Sequence, residues 1–178
     1  MTIDPGPPVH IRPEASGDED AVRAVTTVAF APMPFSDGSE PHVIDRLRAD
    51  GELTLSLVAE DRHGRIIGHI AFSPVVAGGS TVGWYGLGPV SVDPAHQGTG
   101  VGRALIEAGL AEMARRGAAG CALIGDPRLY SRFGFVSGAL SHEELPPSLV
   151  QHLLLREDAA VPVGELRFAS AFDHADQS

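Results

Sequence analysis

The chain has 178 residues with 43% hydrophobic and 20% charged, a globular balance whose length favours one domain. Its formal net charge is −10, and a negative field repels phosphate backbones and anionic lipid, which argues against nucleic acid or a membrane surface as partner. All 13 basic residues are arginine, so Schiff-base chemistry and a Walker lysine are excluded.

Residues 1–8 are rich in proline and glycine and read as a loose lead-in without the basic start or apolar core of a signal peptide. Residues 9–12 predict a first strand. The acidic stretch 17–20 suits a helix start, and Val22, Val25, Val28 and Ala29 then recur at helical spacing. Residues 31–39 read as a loop. Ser39 can cap a second helix with Pro41 in its first turn, Val43, Ile44 and Leu47 as its apolar stripe, and Gly51 as its stop. Residues 53–60 and 65–73 predict a β-hairpin around a turn at 61–64.

A loop over 75–83 leads to a fourth strand at 84–93. Gly86, Gly88 and Pro89 interrupt it and argue for a bulge or a strand end. A helix over 100–116 carries Val101, Ala104, Leu105 and Ala108 on one face, and Arg115, Arg116 and Gly117 suit its end. The fifth strand, 121–124, begins with the single cysteine, Cys121, which reads as an inert core residue and permits no internal disulfide. A short helix over 127–133 follows, with further strands near 135–140 and 165–172. No apolar run approaches the roughly 18 residues of a membrane helix, and together with the lone cysteine this points to the cytoplasm. The pattern predicts an α/β (α+β) fold: a mixed central sheet of about six to seven strands with flanking helices, in which 84–125 forms a crossover between parallel strands. The expected domain is 9–172, with flexible termini at 1–8 and 173–178.

The segment V-S-V-D-P-A-H-Q-G-T-G-V-G-R-A-L occupies residues 90–105. Glycines before a helix let the backbone approach an anion, and the first-turn N–H groups and helix dipole bind phosphate. The dinucleotide pattern G-x-G-x-x-G fails here, because its third position falls on Arg103 or Leu105, and a P-loop fails for want of lysine. What does match is Q-x-x-G-x-G, at Gln97, Gly100 and Gly102, directly after a strand ending in V-x-V-x-P. This resembles the acyl-CoA loop of the GNAT acetyltransferases. Further on comes G-D-P-R-L-Y-S-R-F-G-F, residues 125–135, where Tyr130 precedes Gly134 and Phe135. It is similar to the segment that carries a tyrosine near the CoA sulfur in many family members, and closest to small bacterial N-acetyltransferases with Y-x-R-F-G-F. Those often show two adjacent tyrosines where this chain has Leu129 and Tyr130.

The resemblance spans roughly 9–172 and implies a sheet splayed between the fourth and fifth strands. It also implies direct attack of an amine on acetyl-CoA in a ternary complex. Val90 and Val92 would pair with the pantetheine, and the Val92 N–H would face the thioester oxygen. Gln97, Gly98, Thr99, Gly100, Val101 and Gly102 would hold the pyrophosphate, with Arg103 either adding charge or simply solvated. Tyr130 would act as general acid, while Phe133 and Phe135 read as core. Glu40, His42 and His69 are candidate bases, each with a structural role as the plainer reading, and His96 reads as a solvated loop residue. No histidine or cysteine spacing suits a metal. The acceptor is left open between small-molecule and peptide amines, and a homodimer stays open. Two other classes remain: a non-catalytic acyl-CoA-binding regulatory module, and a protein that uses the fold as an interaction surface.

Overall fold

The computed structural model describes residues 9–176. Residues 1–8 and 177–178, expected to be flexible, lie outside the described residues. A seven-stranded mixed sheet and a three-stranded sheet organise the chain. The large sheet contains β1 (His10–Pro13), β2 (Leu55–Glu60), β3 (Ile66–Pro74), β5 (Trp84–Val92), β6 (Gly120–Ile124), β9 (Val150–Leu154) and β7 (Val136–Ser137), in that spatial order. The small sheet is β4 (Val76–Ala77), β10 (Gly164–Arg167) and β8 (Leu140–Ser141). The helices are α1 (Glu19–Phe30), α2 (Glu40–Ala49), α3 (Val101–Arg115) and α4 (Pro127–Tyr130). The expected fourth and fifth strands are therefore β5 and β6, because the two-residue β4 lies in what reads as a loop.

Contacts divide the chain into two compact units, one of residues up to Ala71 with Pro89–Gly109, the other of Phe72–Gly88 with Leu110 onward. In the first unit, β1 and β2 pair antiparallel from His10↔Glu60 to Pro13↔Leu57. Arg12 ties this pair to the start of α1 through Asp18 and Glu60. Val22 of α1, Ile44 of α2 and Val58 of β2 form a buried cluster with Ile66 against it. The buried face of α1 is Val22, Val25, Thr26 and Ala29, while Val28, expected on the stripe, is exposed. Its place is taken by Thr26, whose hydroxyl donates to the Val22 carbonyl and so loses no hydrogen bond on burial. The Asp61 carboxylate fixes the β2–β3 turn by accepting from the N–H groups of His63 and Arg65. At Gly68 a Cβ would stand 2.9 Å from Leu105 Cδ1 and 3.1 Å from Val101 Cγ1. The first turns of α3 therefore sit directly on β3, which anchors the loop before them.

In the second unit, β5 and β6 are parallel, as the crossover through α3 requires. Their ladder runs only from Trp84↔Gly120 to Gly86↔Ala122, whereas β6 pairs with β9 along its whole length, to Ile124↔Val150. The ladder with β6 thus uses only Trp84, Tyr85 and Gly86 of β5, which itself runs on to Val92. Val75, Ala77, Trp84, Ala119, Ala122, Leu140, Val150 and Leu166 form a buried core in this unit that draws on strands of both sheets. The C-terminal strand is shorter than its sequence suggests: β10 ends at Arg167, and Ser170–Asp176 forms a 3-10 helix.

Candidate active site

The end of β5 is oriented by its neighbour β3. Asp93 N–H donates to the Ile67 carbonyl at 2.8 Å and Val75 N–H to the Trp84 carbonyl at 3.1 Å, so the two strands run antiparallel. Backbone groups alternate sides along a strand, and because Trp84 and Asp93 both face β3 although an odd number of positions separates them, the alternation is shifted once between them, in the stretch that holds Gly88 at φ +136°. With Asp93 and hence Ser91 turned toward β3, the N–H groups of Val90 and Val92 point to the opposite edge. Ser91 is buried, and its hydroxyl donates to Thr26 Oγ1 at 3.3 Å.

Past Val92 the chain folds on itself. The Asp93 carboxylate accepts from Ala95 N–H at 2.9 Å, which starts the 3-10 turn Pro94–His96. The Gln97 side-chain amide donates to the Val92 carbonyl at 3.1 Å, and Thr99 Oγ1 donates to the His96 carbonyl. Gly98 and Gly100 have φ of +76° and +92°, left-handed conformations that side chains disfavour, and nothing lies within 4 Å of where a Cβ would stand on either. Gln97, Gly98, Thr99 and Gly100 are all exposed. Ala104 N–H makes the first helical bond, to the Gly100 carbonyl at 3.0 Å, so the N–H groups of Val101, Gly102 and Arg103 have no intrahelical acceptor. The result is an open run of amides at the positive end of a 15-residue helix, a suitable cradle for an anion. Arg103 is exposed and bonded to Glu107 at 2.8 Å, one turn along the same helix.

Tyr130 lies in the other unit, on α4. The Asp126 carboxylate caps this turn by accepting from Arg128 N–H at 2.9 Å, and Tyr130 N–H donates to the Asp126 carbonyl. Gly134, with φ of +96°, ends the following 3-10 turn and returns the chain to Phe135. The Tyr130 ring meets Phe135 edge-on, with centroids 6.0 Å apart and planes at 75°. Burial raises the phenol above its ordinary pKa, so it holds its proton at neutral pH. Its hydroxyl makes no hydrogen bond among the described residues. Phe135 is buried as expected, while Phe133 is only half-buried.

The base candidates differ sharply. His42 is exposed on α2. Glu40 is half-buried at the start of α2, and its Oε2 is buried without a partner among the described residues. His69 is fully buried, at the end of a chain that no sequence signal connects. Glu14 accepts from Arg48 and, at 2.6 Å, from the Ser56 hydroxyl. Ser56 thus spends its proton on Glu14, so at 2.8 Å from His69 Nε2 it accepts, and the ring carries its hydrogen on Nε2. Burial, with the Arg48 charge adding to it, pushes His69 down to about 3, so the ring stays neutral and is a weak base. His96 is half-buried, with Nδ1 4.0 Å from Asp93 Oδ1. Cys121 is buried and its thiol is pushed up to about 12. Among the described residues no group of three or more His, Cys, Asp and Glu could hold a metal, and no helix is long and apolar enough to cross a membrane.

Residues 52–137 match the family model of the acetyltransferase (GNAT) domain, a span that takes in both β5 with its loop and Tyr130. A GNAT family acetyltransferase from Brucella melitensis, crystallised with acetyl-CoA, is 46% identical with a TM-score of 0.82 over 93% of this chain and 99% of that one. This chain belongs to the GNAT family. The structure of the GNAT protein YhbS from Escherichia coli, in complex with CoA, has a TM-score of 0.85 at 34% identity, covering 97% of this chain and 96% of that one. By sequence, the uncharacterised N-acetyltransferase YhbS of Escherichia coli (strain K12) is 43% identical over 111 residues, 62% of this chain. That match spans 65% of the relative's length, just under two thirds.

Two hydrogen-bonded groups lay beyond sequence reasoning in this GNAT chain. Glu14 and Ser56 reach His69 only through the folded sheet. Gln151 sits on β9, a strand that the run V-Q-H-L-L does not announce because it lacks polar alternation, and its side-chain amide donates to the Gly125 carbonyl at 2.9 Å.

Proposed function

We propose that the protein is an N-acetyltransferase that moves an acetyl group from acetyl-CoA to the primary amine of a small molecule or peptide. The observation that carries the reading is the end of β5 with its loop: N–H groups of Val90 and Val92 on the edge away from β3, then open amides at the start of α3. The two relatives crystallised with acetyl-CoA and CoA support the same ligand. The residues fit it. N–H groups from Gln97 to Gly102 hold the pyrophosphate, and Val90 and Val92 pair with the pantetheine amides. Arg103 is already bonded to Glu107, so we give it no leading part.

Acetyl-CoA supplies a thioester, whose acyl carbon is electrophilic. The neutral amine nitrogen attacks that carbon directly, the carbon–sulfur bond breaks, and its electron pair leaves on sulfur. The Val92 N–H stabilises the charge that gathers on the acyl oxygen, a type of contact worth about 3–4 kcal/mol in other enzymes. Tyr130, protonated and with no hydrogen bond to its hydroxyl among the described residues, gives its proton to the departing thiolate. The amine's surplus proton leaves to water or a base; His69 is not that base, because a group titrating at about 3 holds too little proton at neutral pH.

Titrating acetyl-CoA into the protein tests the ligand assignment. Gly102 is not in a left-handed conformation, and a Cβ there meets only Val92 Cγ2 at 3.5 Å, so Gly102→Val tests the loop with little backbone strain. We expect wild-type affinity near the low micromolar range, about −8 kcal/mol, and a loss of tenfold or more in the variant. Equal affinity for the two proteins contradicts the loop assignment.

A further inference from the structure

We propose that Gly125 and Gln151 are positioning residues that set the Tyr130 phenol where it can reach the departing thiolate. The proposal rests on the acetyltransferase reading of Tyr130. Gly125 stands between β6 and α4, and a Cβ on it would lie 2.6 Å from Tyr130 Cε2 and 3.0 Å from Cδ2. Contacts under 3.0 Å do not occur for real Cβ atoms, so the ring occupies the volume a side chain of residue 125 would need. Any larger residue there displaces the ring. Phe135 meets the same ring edge-on.

Gly125 is itself fixed from β9 and the turn before it. Its N–H donates to the Leu149 carbonyl at 3.0 Å, and its carbonyl accepts from Gln151 Nε2 at 2.9 Å. Gln151 is 1% exposed, and its Oε1 has no partner among the described residues. A buried amide that leaves its own oxygen unsatisfied is costly, and a core residue chosen for packing alone would be apolar. Gln151 gives its donor to a glycine carbonyl, and that glycine's bare Cα is the surface against which the phenol rests.

Gly125→Ala adds one methyl group under the ring. Gln151→Met keeps side-chain volume and removes the donor, so it serves where the alanine variant folds poorly. Three readouts decide. Turnover is expected to fall tenfold or more in Gly125→Ala with KM for acetyl-CoA within about twofold. In a Tyr130→Phe background the same substitution is expected to cost less than about twofold, because a residue acting through the hydroxyl has nothing left to position. Ultraviolet titration of the two tyrosines, which needs no substrate, is expected to show the Tyr130 transition moving down toward the ordinary range in both variants as the ring loses burial. Impaired Tyr130→Phe beside wild-type turnover and an unmoved titration in folded Gly125→Ala and Gln151→Met overturns the positioning alone. Wild-type turnover in Tyr130→Phe overturns the reading on which it rests.

Discussion

Lowering the pH from 7 to 5 should cost this protein a measurable part of its stability through one side chain, His69. Its ring is fully buried and hydrogen-bonded through Nε2–H to Ser56, with Nδ1 unpartnered among the described residues. Desolvation, and secondarily Arg48, pushes it from an ordinary 6.5 to about 3. The folded pKa of this base is depressed, so between those values the unfolded chain takes up a proton that the folded chain refuses. Stability is therefore fully present above about pH 6.5 and falls as pH drops, until the folded ring also protonates near 3. Each pH unit in that window is worth about 1.4 kcal/mol, and allowing for the rounded onset near 6.5 the loss from pH 7 to 5 is about 2 kcal/mol. The figure holds even if the folded value lies a unit higher, since the ring is then still neutral at pH 5. Against a domain stability of about 5–15 kcal/mol this is easily read by urea denaturation at the two pH values. The comparison is His69→Gln, which keeps an N–H for Ser56 and does not titrate. Carboxylates and the other histidines, His152 included, are common to both proteins and cancel. We expect the wild type to lose about 2 kcal/mol more than the variant. Equal losses would refute the buried neutral histidine.

Tyr130→Phe should lower kcat by about tenfold or more, general acid catalysis being worth about 10²–10⁴-fold, while acetyl-CoA affinity and melting temperature change little. Unchanged kcat would remove the general acid. Cys121, buried and pushed up to about 12, should resist thiol reagents in the folded protein and react only on unfolding. Rapid labelling of the native protein would contradict its place in the β6 core.

The parts of this fold legible in the sequence are those with local causes. The glycines at 98, 100 and 102, the Asp93-Pro94 turn and the buried Val101 and Leu105 of α3 lie within one short segment, so the strand–loop–helix unit and its chemistry could be read together, although Ile106, Leu110 and Met113 and not Ala104 and Ala108 continue the buried face. Pro41, the hairpin turn at Asp61 and Gly117 punctuate their elements in the same way. What could not be read depends on distant partners. β9 is a strand because β6 pairs with it, from Gly120↔Leu154 to Ile124↔Val150, and its own residues show no strand period. Val28 has the spacing of a core residue but faces solvent, and Thr26 takes its place through a backbone hydrogen bond. Glu14, Ser56 and His69 form one chain across three distant segments. Gly125 looks like any loop glycine until the Tyr130 ring is found against it.

The central claim is amine-dependent acyl transfer, and the direct measurement is CoA thiol release from acetyl-CoA in the presence of a panel of small-molecule and peptide amines. The account predicts release above the amine-free rate with at least one primary amine, with the acetyl group recovered on its nitrogen. Acetyl-CoA binding without release, across a panel that spans polyamines, amino acids, aminoglycosides and peptide N-termini, would contradict it and leave a protein that binds the thioester without turning it over.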